Sequence, residues 1–277
     1  MDVKTIVTKI AETAAWDELI FPTTTEMALK LQQLLDDPDC SIGQLTMLVQ
    51  ADPLLATRVV AVANSVAYNR SGKPVTDITS AISRIGYSTL RVLATSVVVR
   101  QMAGMSRIPA HRRIAIQLWE HTAHVSALSQ VIARRVTRVN PDTAFFAGMT
   151  HEVGGFYLIS RAADYPGLLE GENGWLDGGA AEIGRAVLQR LSAPAAVIEA
   201  IEGMWEGSLG FPPQSLADTL MLADELAPVL SPLAESAGSG LDNFDAHIDF
   251  TLDEDTLCSI LEESSAEVES LISALRA

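Results

Sequence analysis

His121 and His124 in "LWEHTAHV", His151 with Glu152 in "GMTHEVGG", and Asp224 in "MLADEL" are the residues whose types and spacing could do chemistry. Side chains three apart share one helical face, so His121 and His124 could offer two imidazoles to one ion. Two ligands do not close a site, and one packed histidine beside one solvent-facing histidine gives the same pattern. Adding His151, Glu152 and Asp224 changes the weighing. Three helices would then bring nitrogen and carboxylate donors to one pocket, a mixture that suits Mn, Fe or Zn. An ion held with an open coordination position can acidify a water, the first requirement of metal-assisted hydrolysis. Other chemistries find no support: "GGFYLIS" lacks the Lys and Ser/Thr of a phosphate loop, and no nucleophile-elbow motif is present.

The elements that must position these residues are helical throughout. Ser41 with Gln44 has capping-box spacing, and Asp52-Pro53 reads as a cap followed by a first helical residue. Asp77 can cap "ITSAISRIG", with Gly86 as the stop and Ser88 starting "TLRVLATSVVVRQM". A long helix is expected over roughly 109–136, and "NPD" at 140–142 opens the one leading into His151. "VANSVAYN", the motif around Asn64, predicts a helix end closed by side-chain capping. The loop "GENGWLDGG" and the linker-like "SPLAESAGSG" follow, and two short acidic helices finish the chain. The expected fold class is all-α, about a dozen helices joined by short turns.

The 277 residues carry a net charge of −16, which disfavours nucleic acid as a partner. The charge is uneven. Residues 231–277 hold eleven acids against Arg276 alone, whereas residues 100–138 hold seven arginines against Glu120. Either the two regions neutralise each other, within one fold or across a homodimer, or Arg112, Arg113, Arg134 and Arg135 form a face for a phosphorylated ligand or acidic partner. Cys40 and Cys258 are too few and too far apart for a disulfide framework. No membrane-spanning run and no signal-peptide core is present, so a cytoplasmic protein is expected.

"LWEHTAHVSALSQVIARR", then "AFFAGMTHEVGG", then "LADEL" resemble the metal-binding HD phosphohydrolase pattern of His, His-Asp and a final Asp. The first half is more decisive. "FPTTTEMALKLQQLLDDPDCSIGQLTMLVQADPLLATRVVAVANSVAYN", followed by "ITSAISRIGYSTLRVL", resembles the N-terminal module of the HDOD family, the HD-related output domain of bacterial signalling proteins. The resemblance runs from about residue 15 to residue 230. It implies an N-terminal helical module over 1–105 and an HD-like helical bundle over 106–230 packed on it; the acidic composition of 231–277 marks a helical extension beyond them.

Matched residue by residue, His121 takes the place of the first HD histidine, His151 the second and Asp224 the last aspartate. Glu152 stands where the pattern has Asp, and Gly155 where a Lys commonly follows. Ala180 replaces a frequent His, and Met204 with Trp205 replaces a frequent His-His pair. No cofactor is expected as a requirement. His121, His151, Glu152 and Asp224 retain enough donors for one divalent ion, Fe, Mn or Zn. The resemblance therefore implies a non-catalytic regulatory module that binds a signalling protein or small-molecule ligand. The alternative is a divergent metal-dependent phosphohydrolase acting on a nucleotide or cyclic dinucleotide.

Overall fold

The computed structural model describes residues 5–10, 25–104, 106–165, 168–169, 179–207, 210, 212–233 and 254–276. Beside helical residues 5–10, these form α1 (Thr25–Asp36), α2 (Ile42–Gln50), α3 (Pro53–Ala63), α4 (Ile78–Gly104) and α5 (Pro109–Ile132). There follow α6 (Pro141–Thr150), α7 (Val153–Arg161), α8 (Gly179–Arg190), α9 (Ala195–Glu206), α10 (Leu216–Glu225) and α11 (Glu254–Arg276). No strand occurs among the described residues, so the fold is all-α as expected. None of the described helices is long and apolar enough to cross a membrane. The expected loop at 171–178 and most of the linker-like stretch, with residues 234–253, lie outside the described residues.

Local signals set the helix ends. Ser41 and Gln44 form the reciprocal capping box of α2, and Asp52 accepts from the Leu54 and Leu55 amides with Pro53 in the first turn of α3. Asp77 accepts from the Ser80 amide at 2.8 Å, and Asn140 from that of Thr143 at 2.9 Å. At Gly86 the backbone turns to φ 78°, where a β-carbon would be strained, and α4 breaks there before continuing. The long helix stops at Ile132, short of the expected 136, and passes into a π-helical turn over Ala133–Thr137. The described part of the acidic tail is one helix of 23 residues rather than a short one. Its buried residues Ser264, Leu271, Ile272 and Leu275 extend the apolar seam that holds it.

Residues 92–99 of α4 are buried on every side, and Leu90, Leu93, Val98 and Val99 are wholly buried. A helix of that kind must be surrounded. It packs against α1, α2 and α3 on one side and α5, α6 and α7 on the other, so the main core joins both sets, with a smaller cluster between α5 and α10 around Val125, Leu128 and Leu222. α11 lies across α3 and α5.

The side-chain cap expected around Asn64 comes from Ser65, whose Oγ donates to the Val62 carbonyl at 2.7 Å. The Asn64 side chain instead pairs with the backbone of Val75, accepting from the amide and donating to the carbonyl at 2.8 Å each. Folding the 64–77 loop back gives that amide two partners that the helix end could not supply. Tyr68 in the same loop reaches further. Its hydroxyl lies 3.0 Å from Thr89 Oγ1 and accepts from Gln130 Nε2 at 2.9 Å, joining the loop to α4 and α5. Burial pushes the Tyr68 phenol up to about 12. Tyr68→Phe leaves buried partners unpaired and is expected to lower stability by about 1–2 kcal/mol in urea unfolding.

Candidate metal centre

Close approach of two helices builds the centre. A β-carbon on Gly148 of α6 would stand 2.6 Å from Ser126 Cα and 3.0 Å from Ser126 N of α5. Glycine there lets the two backbones touch, and Ser126 Oγ donates to the Phe145 carbonyl at 2.8 Å across the contact. His121 lies midway along α5, His151 is the C-cap of α6, and Asp224 sits in the last turn of α10.

The hydrogen-bond partners decide the tautomers. His121 Nδ1 is 2.8 Å from the Val229 carbonyl, and His151 Nδ1 is 2.7 Å from the Gly148 carbonyl. A carbonyl only accepts, so each Nδ1 carries the proton and each neutral ring presents an Nε2 lone pair. Those two Nε2 atoms face each other at 3.2 Å. Asp224 Oδ1 is 3.0 Å from His121 Nε2 and 3.8 Å from His151 Nε2. Three donors converging this way repel one another unless a cation lies among them.

That cation can be a proton. Burial opposes charge on His121, yet the hydrogen bond to Asp224 and the charges of Glu152 and Asp224 outweigh it and hold its pKa above the usual range. Burial, and then His121, drive His151 down to about 4. Burial would raise Asp224, but the bond to His121 and the charges of both histidines bring it below the usual carboxylate range. The cation can equally be a metal. Ligands about 2.1 Å from an ion stand roughly 3.0 Å apart at right angles and 3.4 Å apart in a tetrahedron, close to the separations here. The histidines are buried and the Asp224 side chain is 36% exposed, so the donor set opens to solvent on the aspartate side.

The sequence-expected donors are not all brought together. His121, His151 and Asp224 place their ligand atoms within 4.8 Å of one another, and Glu152 is not in that group. Glu152 Oε1 accepts from Ser231 Oγ at 2.6 Å, while Oε2 is buried, unpartnered and 3.9 Å from His121 Nε2. The longer side chain swings the carboxylate towards Ser231. His124, the i+3 neighbour, turns away and bonds the Glu120 carbonyl at 2.7 Å.

Burial pushes Glu152 up to about 7. Between about pH 4.5, its ordinary value, and about pH 7 the native state binds more protons here than the unfolded chain, so stability falls as pH rises through that window. Glu152→Gln removes the titration. In urea unfolding with chelator present, the variant's stability relative to the parent is expected to improve by about 3 kcal/mol across the window.

The surrounding positions are filled by packing. A β-carbon at Gly155 would collide with Leu233 Cδ1, so Leu233 occupies the place where a longer side chain would begin. Trp205 lies against Gly184, 3.2 Å from where a β-carbon would be, and Met204 packs on the core. Ala180 belongs to α8.

The arginines do not form one face. Arg112 and Arg134 are separated by about 33 Å of helix at 1.5 Å per residue. Arg134 grips Glu267 with two bonds of 2.6 and 3.1 Å, and Arg135 lies 3.4 Å from Glu263, so both pair with α11. Arg112 and Arg113 are exposed on the first turns of α5.

The HDOD domain family matches residues 21–206. An uncharacterized protein of Treponema pallidum is 24% identical over 217 residues, 73% of this chain; the chain spans only 40% of that protein's length. A Shewanella amazonensis structure, put forward as a metal-dependent phosphohydrolase, superposes with a TM-score of 0.70 at 24% identity, covering 99% of this chain and all of the other. An HDOD domain protein of unknown function from Geobacter sulfurreducens gives 0.62 at 22% identity, covering 99% of each chain.

Proposed function

The chain belongs to the HDOD domain family, and from that premise we propose that it is a regulatory module acting by binding a signalling protein or small-molecule ligand. Its HD-like half serves as scaffold around a site for a single cation. The observation that carries this reading is the packing at Gly155. Leu233 fills the space from which a cationic side chain would have to reach a substrate phosphate. Trp205 against Gly184 and Glu152 fastened to Ser231 point the same way, because neither position is free to hold a second ion. Hydrolysis of a phosphoester needs an oriented phosphate as well as an activated water.

The facing Nε2 atoms favour a second reading, a divergent phosphohydrolase working with one ion. An ion held by His121, His151 and Asp224 would supply Lewis acidity and lower the pKa of a bound water. Titrating chelator-stripped protein with Mn and with Zn separates the two. The binding reading expects saturation at one ion per chain with no phosphate released from added nucleotides. Phosphate release that depends on that one bound ion would favour the enzyme.

A further inference from the structure

A second cavity, about 400 Å³, opens between the end of α4, the first half of α5 and the last turn of α11. Trp119, Ala115 and Ile116 supply apolar wall, and Arg100, Arg112 and Arg276 supply guanidinium groups; none of the metal donors lines it. Arg276 is paired, donating to Glu120. Arg100 donates to the Leu275 and Arg276 carbonyls at 3.3 and 3.1 Å, bonds that leave its charge uncompensated.

Behind the wall lies Arg58 of α3. It is wholly buried, and none of its three guanidinium nitrogens has a hydrogen-bond partner among the described residues. Its Cζ stands 5.8 Å from the Trp119 ring centre, and Arg100 Cζ stands 5.4 Å from the same ring. Trp119 Nε1 is buried and unpartnered as well. Burial, and then Arg100, lower the Arg58 pKa to about 10, which leaves it charged at neutral pH. The carboxylate acting on it, Asp52, does so only through space. A buried, unpaired cation costs several kcal/mol, and arginine cannot escape by losing its proton. In a chain of net charge −16, four arginines thus gather around one aromatic wall, and the carboxylate lining the cavity, Glu120, is already taken by Arg276.

We propose that this cavity binds a small organic anion, a phosphate- or carboxylate-bearing molecule whose flat apolar body rests against Trp119 while Arg100, Arg112 and the field of Arg58 take up its charge. The volume suits a small-molecule ligand. The proposal rests on the binding role above and names the ligand's chemistry, but it needs neither a metal nor His121, His151 or Asp224.

Melting temperature and calorimetry on the full chain test it, with adenosine 5′-monophosphate and benzoate as the phosphate and carboxylate probes and adenosine as the uncharged control. Saturable stabilisation by at least one anion at millimolar concentration, weakening with salt, is expected, with none from adenosine; which anion binds identifies the group. Arg112→Glu, an exposed change, should weaken binding by about tenfold or more. Arg70→Glu, the same charge change in the loop after α3 and outside the lining, should leave it within about twofold. Arg58→Met should melt higher without ligand yet gain less from the anion, opposite signs that a merely structural arginine would not produce. No saturable binding of either anion, or equal binding by the Arg112→Glu and parent proteins, would overturn the proposal. Neither result depends on phosphate release, which alone decides between the regulatory and hydrolytic readings.

Discussion

His151→Ala is expected to weaken divalent-ion binding by about a hundredfold or more, since loss of even an outer-sphere partner commonly costs 10–100-fold. The reason is geometric. His151 Nε2 is one of three donor atoms, and its tautomer is fixed by the Gly148 carbonyl at 2.7 Å. With it gone, His121 and Asp224 remain, and two ligands hold a first-row ion poorly. Calorimetric titration of stripped protein with Zn or Mn measures the effect, and two comparisons locate it. His124→Ala should leave affinity unchanged, because that ring bonds the Glu120 carbonyl instead. Glu152→Ala should cost about tenfold at most, since its carboxylate is held by Ser231 outside the donor group. Affinity should also fall as pH drops through the raised pKa of His121, because the ion and the proton compete for the same lone pair.

Gly148→Ala is expected to destabilise the protein by about 2–3 kcal/mol and to weaken the same ion. The added carbon would meet Ser126 Cα, which is backbone and cannot rotate aside as a side-chain tip could. Relief requires α5 and α6 to separate, and that moves His121 away from His151. Gly43→Ala in α2 is the control. Its new carbon would have only Ser41 Oγ nearby, at 4.0 Å, so the change should be neutral or stabilising by about 0.5–1 kcal/mol. Urea unfolding of the two variants separates close packing from ordinary helix propensity.

Much of this architecture is legible in the residues, and the rest is hidden for identifiable reasons. Caps depend on neighbours within four positions, so Ser41, Asp52, Asp77 and Asn140 announce their helices directly. Side chains with two plausible partners do not. Asn64 could close its own helix, and only the path of the following loop shows that it pairs with Val75. The fate of Glu152 depended on Ser231, 79 residues away. The arginine-rich stretch left two readings open, neutralisation by the acidic tail or one charged face, because spacing along a helix says nothing about what packs beside it; α11 takes Arg134 and Arg135, as the first of them expects. Arg58 left no signal at all. Within "PLLATRVVAVA" a single basic residue looks like the solvent side of an amphipathic helix, and its burial shows only once the fold brings Trp119 of α5 against it.

Phosphate release is the measurement that bears most directly on the central claim, that this pocket keeps donors for one ion but nothing to align a phosphoester against it. The ion-loaded protein, assayed against nucleotides and cyclic dinucleotides, should release no more phosphate than its His151→Ala variant. Turnover that survives further purification and vanishes in that variant would contradict the claim.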